Sequence, residues 1–218
     1  MKIRHFLLLR REFFSSVPKL DNSKKTLIYG TWFNTEMKRK LEDSLVVVND
    51  FITEEEETSL MKEVGPYLEK LIYEKDHWDD AIHGFRETER LHWSKANTSI
   101  LDRVKELAIP PGTTPIKFIH VLDLEANGVI KPHVDSVRFC GNTIAGLSLL
   151  SDSVMRLIHE QNKEIKVDIL LKRRSLYIMR DFARYDFSHG ILGNDESYFD
   201  GVPVQKTRRV SVICRNEP

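Results

Sequence analysis

The second half of the chain constrains the fold most strongly, because it consists of short β-rich runs with no helical pattern between them. Turn-forming residues separate the runs, as they do in antiparallel sheets. Strands at this spacing favour a sandwich or a jelly roll over a parallel α/β sheet. The predicted strands occupy residues 116 to 124, 129 to 135, 143 to 150, 153 to 159, 165 to 171, 175 to 180 and 208 to 215.

Two helical patterns precede these strands. Thr53 and Glu56 form a capping-box pair before an apolar run at helical spacing, and Gly65-Pro66 is expected to interrupt that helix. A second helix is predicted from Thr98 to Ala108. The predicted fold is therefore mainly β with α, a jelly-roll core supported by N-terminal helices.

A chain of 218 residues fits one domain with a substantial core. Residues 15 to 44 are polar and show little periodicity, which indicates a linker or a poorly ordered segment. The stretch from Met1 to Arg11 has four basic residues and no acid, as in a mitochondrial presequence. We therefore predict a presequence and linker over 1 to 44 and a single domain over 45 to 218.

Composition excludes several classes of protein. The cysteines, Cys140 and Cys214, form no Cys-x-x-Cys pair, so a zinc ribbon or a disulfide scaffold is not supported, and both are expected to be buried thiols. The longest apolar run, Phe6 to Leu9, is too short to span a bilayer, so no integral membrane association is expected. Equal numbers of basic and acidic residues, 33 each, leave only a local patch for any nucleic acid.

His133 and Asp135 form the strongest candidate for a metal site. Residues two apart on a strand point to the same face, so this imidazole and this carboxylate can bind one ion together. His189, from a distant strand, would complete a face of two histidines and one carboxylate. Such a face suits non-haem iron(II), because it leaves positions open for a co-substrate and oxygen.

A second His-x-Asp motif, His77-Trp78-Asp79, precedes His133 by the same interval that separates Asp135 from His189. His77 lies in a polar stretch without apolar alternation, whereas His133 follows an apolar run and a predicted turn at Asn127-Gly128. The sequence context therefore favours the set built on His133. The other histidines are interpreted as surface, packing or structural residues: His77, His83, His120 and His159.

The C-terminal run from Arg209 to Arg215 predicts a site for a dicarboxylate. Both arginines fall on one face of an apolar strand, and a buried charge must be paired. A guanidinium can bind a carboxylate through two parallel hydrogen bonds, and Tyr177 could add a hydroxyl. The alternatives are an edge strand with its arginines in water and a half-buried strand tyrosine.

These residues resemble the AlkB family of dioxygenases, whose pattern is His-x-Asp, a distal His, and Arg-x-Asn-x-Thr-x-Arg. The three parts correspond here to His133-Val134-Asp135, to residues 183 to 191 around His189, and to residues 209 to 215. Residues 77 to 86 and 143 to 150 are similar to a mitochondrial branch of the family in animals. The likeness covers roughly residues 45 to 216.

The resemblance implies a double-stranded β-helix in which His133, Asp135 and His189 bind Fe(II). It implies that 2-oxoglutarate, the co-substrate, is bound by Arg209, Arg215 and Tyr177. Oxidative decarboxylation by O2 would convert 2-oxoglutarate to succinate and CO2 and hydroxylate a C–H bond, commonly of an N-methyl group that leaves as formaldehyde.

The same resemblance implies an enzyme of the mitochondrial matrix, and we expect a monomer. It implies a substrate such as mitochondrial precursor tRNA, with RNA demethylation as the activity and links to fat metabolism and programmed necrosis. A mitochondrial protein is the alternative substrate, for hydroxylation or demethylation.

Two departures from the family pattern bear on the substrate. Repair members carry Asn-x-Tyr where this chain has Leu122 and Leu124, and Ser211 and Ile213 replace the Asn and Thr of the arginine motif. Residues 110 to 116 are too few to form the nucleotide-recognition lid of repair members. Because base flipping from a duplex needs a pocket that holds the extruded base, single-stranded or structured RNA or a protein is favoured over duplex DNA.

Two other functions remain open from the residues alone. One is a catalytically silent, metal-bound signalling module, against which the intact triad and both arginines argue. The other is a zinc jelly-roll enzyme that does not depend on 2-oxoglutarate.

Overall fold

The computed structural model describes residues 27–30 and 33–218. The helices are α1 (Thr35–Ser44), α2 (Glu54–Leu68), α3 (Lys95–Ala108) and α4 (Asp181–Tyr185). The strands are β1 (Leu27–Tyr29), β2 (Leu45–Val48), β3 (Glu74–Asp76), β4 (Ile82–Arg90), β5 (Ile119–His133), β6 (Thr143–Leu149), β7 (Ser153–His159), β8 (Lys166–Leu171), β9 (Ser175–Arg180), β10 (Phe187–Ile191), β11 (Tyr198–Phe199), β12 (Val202–Pro203) and β13 (Arg209–Arg215). Among the described residues, no helix is long and apolar enough to cross a membrane.

One curled antiparallel sheet forms the body of the molecule. Its strand order is β1-β8-β7-β10-β5-β13-β6-β9-β2, with β4 paired to β5 and β3 paired to β4. Side chains from both ends of this order pack into one interior, so the sheet curls over on itself. The mainly β jelly-roll class predicted from the sequence is confirmed.

Two apolar cores lie on opposite faces of the β13 region of the sheet. The outer core lies under α2 and α3 and includes Val64, Val104 and Val212. The inner core fills the space inside the roll and includes Ile213 and Leu157. Val212 and Ile213 are neighbours on β13. Because successive side chains on a strand point to opposite faces, Val212 packs in the outer core and Ile213 in the inner core.

Helix α2 begins at the predicted capping box. The Glu56 amide donates to Thr53 Oγ1 at 3.2 Å, and the Thr53 amide donates to Glu56 Oε2 at 3.0 Å. The predicted interruption at Gly65-Pro66 is wrong, since the helix continues through Pro66 to Leu68. Pro66 lies in the last turn, where the missing amide removes one hydrogen bond and the buried side chain of Leu68 still packs on the outer core.

The described part of the segment from 15 to 44 is more ordered than the sequence indicates. It contains β1, which pairs with β8, and α1, whose N-terminus is capped by Asn34. Leu41 of α1 is fully buried in the inner core. The predicted presequence lies outside the described residues, and the domain boundary at residue 44 stays a prediction.

Strand β5 has no turn at Asn127-Gly128, contrary to the sequence prediction. The strand continues through Gly128 to His133, and β4 lies against it with a register shift between His83 and Phe85. A Cβ atom on Gly128 would lie 2.5 Å from the carbonyl oxygen of Gly84, so the two backbones approach too closely for a side chain. The unbroken strand carries His133 to the edge of the inner core.

Candidate metal centre and co-substrate pocket

The three predicted metal ligands converge on one point. His133 ends β5, Asp135 follows in the next loop, and His189 on β10 pairs directly with His133. Asp135 Oδ1 lies 3.3 Å from His133 Nε2 and 3.5 Å from His189 Nε2. One ligand atom from each residue lies within 4.8 Å of the other two, which fits a single ion.

The ionisation states of His189 and Asp135 fit a metal site, whereas the pKa of His133 is raised because its hydrogen bonds with Asp135 and Lys131 outweigh its burial. Burial lowers the pKa of His189 to about 3, so this imidazole is neutral at physiological pH and keeps a free lone pair. Burial opposes ionisation of Asp135, but the hydrogen bond with His133 and the charge of Arg215 hold its carboxyl pKa well below the usual range. Metal binding requires a neutral imidazole and an ionised carboxylate of this kind.

Contacts behind the ligands fix their orientation. His133 Nδ1 lies 3.0 Å from the carbonyl oxygen of Lys131, which leaves Nε2 directed at Asp135. Arg215 Nη2 lies 2.8 Å from Asp135 Oδ2. Such outer contacts set the orientation of metal ligands in proteins.

All six predicted site residues line one cavity inside the roll. They are the metal trio and the polar side chains of Arg209, Arg215 and Tyr177. The remaining lining residues are mostly apolar: Ile82, His120, Leu122, Ile130, Ile144, Met155, Gly190, Ile191 and Ile213. A polar trio and a polar wall in an otherwise apolar cavity are typical of a small-ligand site.

Arg209 is a buried cation without an acidic partner among the described residues. Its side chain is 2% exposed, and its Nε donates to Ser148 Oγ at 3.0 Å. Burial lowers its pKa, and Tyr177 is the neighbour that opposes this effect. Because an unpaired buried charge is costly, this guanidinium fits an anionic ligand that enters the cavity.

Lys206 adds a second positive charge near Arg209. Its Nζ donates to the carbonyl oxygens of Glu125 and Ala126 at 2.9 and 2.6 Å, and the residue is buried. Burial and the charge of Arg209 lower the pKa of Lys206 to about 8. The end of the cavity near Arg209 is therefore electropositive, as a carboxylate-binding end should be.

Two curated relatives are similar to this chain over most of their length. Both are named mitochondrial alpha-ketoglutarate-dependent dioxygenase alkB homolog 7. The bovine protein is 54% identical over 179 residues and the mouse protein 55%, and each alignment covers 82% of this chain and 81% of the relative. The chain belongs to the AlkB family of dioxygenases. No protein-family model matches it.

The solved structure of OsALKBH1 shares the fold of this AlkB-family chain. It superposes with a TM-score of 0.60 over 79% of this chain and 97% of that one, at 9% sequence identity. The family, the enzyme class and the cofactors predicted from the sequence are thereby confirmed. The chain is an Fe(II)-dependent dioxygenase that uses 2-oxoglutarate, the alpha-ketoglutarate of the relatives' name.

The two remaining pocket residues of this AlkB-family site lie at different ends. Arg215 is at the metal end, since its guanidinium contacts the Asp135 carboxylate. Tyr177 lies across the sheet from Gly146, and a Cβ atom on Gly146 would lie 2.5 Å from the Tyr177 hydroxyl oxygen. Gly146 therefore makes the room in which the Tyr177 ring lies.

The other histidines have partners of their own. His77 Nδ1 lies 2.6 Å from Asp79, and His83 Nδ1 lies 2.6 Å from Asp76. His120 Nε2 lies 2.8 Å from Glu87. His77 lies in the turn between β3 and β4.

Arg184 was not among the site residues predicted from the sequence. This side chain is 1% exposed, and its Nη2 donates to the carbonyl oxygen of Asp135 at 2.7 Å. Its sequence neighbours, Ala183 and Tyr185, give no strand or helix pattern from which burial follows. Only the contact across the fold shows that Arg184 belongs to the metal centre.

Proposed function

We propose that His133, Asp135 and His189 hold the Fe(II) of this dioxygenase. Their convergence on one point of a cavity that also contains an unpaired buried guanidinium carries the proposal. The neutral His189 and the ionised Asp135 support it, because both are ready to bind a cation. The bound metal would supply the activation of O2.

We propose that Arg209 binds the carboxylate of 2-oxoglutarate farthest from the metal, with Tyr177 adding a hydroxyl contact. Arg215 contacts Asp135 and is thus placed to meet the keto-acid end. The apolar side chains of Leu122, Ile144 and Ile213 line the space between and exclude water from it.

We propose N-methyl demethylation of an RNA in the mitochondrial matrix as the reaction, with mitochondrial precursor tRNA as the substrate. The relatives' names support the organelle. Trp78, in the turn between β3 and β4, and Phe139, in the loop after Asp135, are both strongly exposed. Exposed aromatic side chains suit the stacking of unpaired bases.

A protein substrate is the second candidate. Asp79 and Asp80 share the turn with Trp78 and would repel a phosphate backbone, while they would attract a cationic peptide. A monomeric state and links to fat metabolism and programmed necrosis belong to the proposal with either substrate.

Anaerobic titration with Fe(II) and 2-oxoglutarate tests the site. The proposal expects the visible charge-transfer band of a metal-bound keto acid in the wild-type protein and its loss in Asp135→Ala. Asp79→Ala is the matched control, because it removes the aspartate of the other His-x-Asp motif and should leave the band unchanged.

The outcomes separate the alternatives. A folded, metal-loaded protein without the band would contradict the proposed pocket and favour the silent signalling module. Copurified zinc with no turnover of 2-oxoglutarate would favour the zinc enzyme. Formaldehyde released from an N-methylated RNA oligonucleotide but not from an N-methylated peptide would support the RNA substrate, and the reverse result would support the protein substrate.

A further inference from the structure

Arg184 carries a buried charge that the chain does not neutralise. It lies on α4, the short helix between β9 and β10, and forms no ion pair with any described residue. Its Nη2 contacts the carbonyl oxygen of Asp135 at 2.7 Å and Cys140 Sγ at 3.2 Å. Its Nε and Nη1 atoms are buried without a hydrogen-bond partner in the described part of the chain.

This arrangement is unfavourable for the fold taken alone. A buried donor without a partner costs about 1–3 kcal/mol, and a buried charge without an acid costs more. An apolar side chain of similar volume would avoid both costs at Arg184. The contact of the guanidinium with the Asp135 backbone indicates a role at the proposed metal ligands.

Arg184 joins the two segments that carry the proposed ligands. It precedes His189 by five residues on one segment and contacts the backbone of Asp135 on the other. The direct pairing between these segments is irregular, because the β5–β10 register shifts between His189 and Ile191. The Arg184 contact adds a second connection beyond the end of β5, on the side of the His133–His189 pair away from this irregularity.

The same guanidinium closes the loop after Asp135. Its Nη2 contacts both ends of that loop, the Asp135 carbonyl and the Cys140 sulfur. Within the loop, the amides of Phe139 and Cys140 donate to the carbonyl of Ser136 at 3.1 and 3.2 Å. Asp135 is thus held through its backbone, while its carboxylate remains available to the cavity.

We propose that Arg184 is a positioning residue that fixes Asp135 relative to His189 and so holds the ligand set closed around the metal. It acts through the Asp135 backbone and does not line the cavity. The inference rests on the proposed function, because it takes these residues as the metal ligands.

Anaerobic Co(II) titration tests the inference without turnover, since the visible bands of Co(II) report both affinity and ligand geometry. Arg184→Met should weaken Co(II) binding by roughly 10- to 100-fold, the usual effect of losing a contact behind a metal ligand. Arg184→Lys keeps the charge without the planar fork, so its affinity should fall between those of Arg184→Met and the wild type. Cys140→Ala should bind like the wild type, because the Asp135 contact persists.

Arg90→Met is the matched control for stability. Arg90 is also a mostly buried arginine, paired with Glu63 at 3.4 Å and packed on Tyr67, but it lies outside the cavity. The variant should unfold at a lower denaturant concentration and bind Co(II) normally. Equal losses of affinity in Arg90→Met and Arg184→Met would overturn the inference.

The remaining outcomes separate this inference from the proposed function. Wild-type protein that binds no Co(II), or binds it as well after Asp135→Ala, would contradict the proposed ligands themselves. Wild-type affinity in folded Arg184→Met, with Asp135→Ala inactive in binding, would overturn the role of Arg184 alone. Should Arg184→Met not fold, unchanged Co(II) affinity and bands in Arg184→Lys would overturn it equally.

Discussion

Two groups of buried charges lie close together in this protein and differ in how they are neutralised. Asp123, on β5, is fully buried and accepts hydrogen bonds from Arg86 at 2.8 Å, from Arg208 at 2.9 and 2.8 Å and from Tyr73 at 3.1 Å. Arg209, the next residue after Arg208, is also buried, but none of the described residues gives it an acidic partner.

The difference separates a structural charge cluster from a candidate binding site. The partners of Asp123 all come from the chain, so that cluster is complete when the protein folds. Arg209 faces the opposite side of β13, into the cavity, and its charge is neutralised only if an anion enters. Removing a charge should therefore have opposite consequences for stability in the two places.

Asp123→Ala should produce the largest change in stability. Removing one member of a buried ion pair leaves charges without a partner and typically costs about 3–5 kcal/mol. Urea unfolding followed by circular dichroism would measure the loss. The Co(II) affinity of the folded variant should equal that of the wild type. A lower affinity would show that the Asp123 cluster and the cavity are not independent.

Arg209→Met should weaken 2-oxoglutarate binding by about 10- to 100-fold, since hydrogen bonds to charged groups contribute roughly 1.5–3 kcal/mol. Metal binding should be unchanged, because no ligand is removed. The free energy of unfolding without 2-oxoglutarate should stay the same or rise, since an unpaired buried charge is replaced by an apolar chain.

Calorimetric titration of the Co(II)-loaded variant with 2-oxoglutarate measures the first effect, and urea unfolding measures the second. A stability loss as large as that of Asp123→Ala would show that Arg209 has a structural partner after all. The contrast between the clusters would then disappear.

Gly146→Ala should have the smallest effect. This effect should be limited to the cavity and should leave the Asp123 cluster unchanged. The added methyl group would meet the Tyr177 ring at 2.5 Å, so the ring must shift, at a cost of about 1–3 kcal/mol for overpacking. A weaker affinity for 2-oxoglutarate with unchanged Co(II) affinity is the expected result.

Gly65→Ala is the control for the glycine substitution. Gly65 lies in α2, and a Cβ atom there would come no closer than 4.0 Å to another residue. The variant should be more stable by about 0.5–1 kcal/mol, because alanine favours a helix.

Unchanged 2-oxoglutarate affinity in Gly146→Ala would contradict the proposed contact of Tyr177 with 2-oxoglutarate.

The sequence by itself determined the features that depend on local periodicity. The capping box at Thr53 formed as expected, and residues two apart on β13 share a face, so Arg209 and Arg215 both reach the cavity. His133 and Asp135 also reach one point, although β5 ends at His133 and Asp135 lies in the loop that follows, so strand alternation alone does not account for their convergence. These features follow from short-range geometry that neighbouring residues set.

Only the tertiary structure decided the features that depend on distant partners. Helix α1 is stabilised by the packing of Leu41 in the inner core. Strand β5 has no turn at Gly128 because β4 pairs with it. Arg184 contacts the backbone of Asp135, 49 residues away along the chain, because the fold brings the two together. Such contacts leave no periodic pattern in the sequence, since each depends on one side chain meeting a backbone from another part of the molecule.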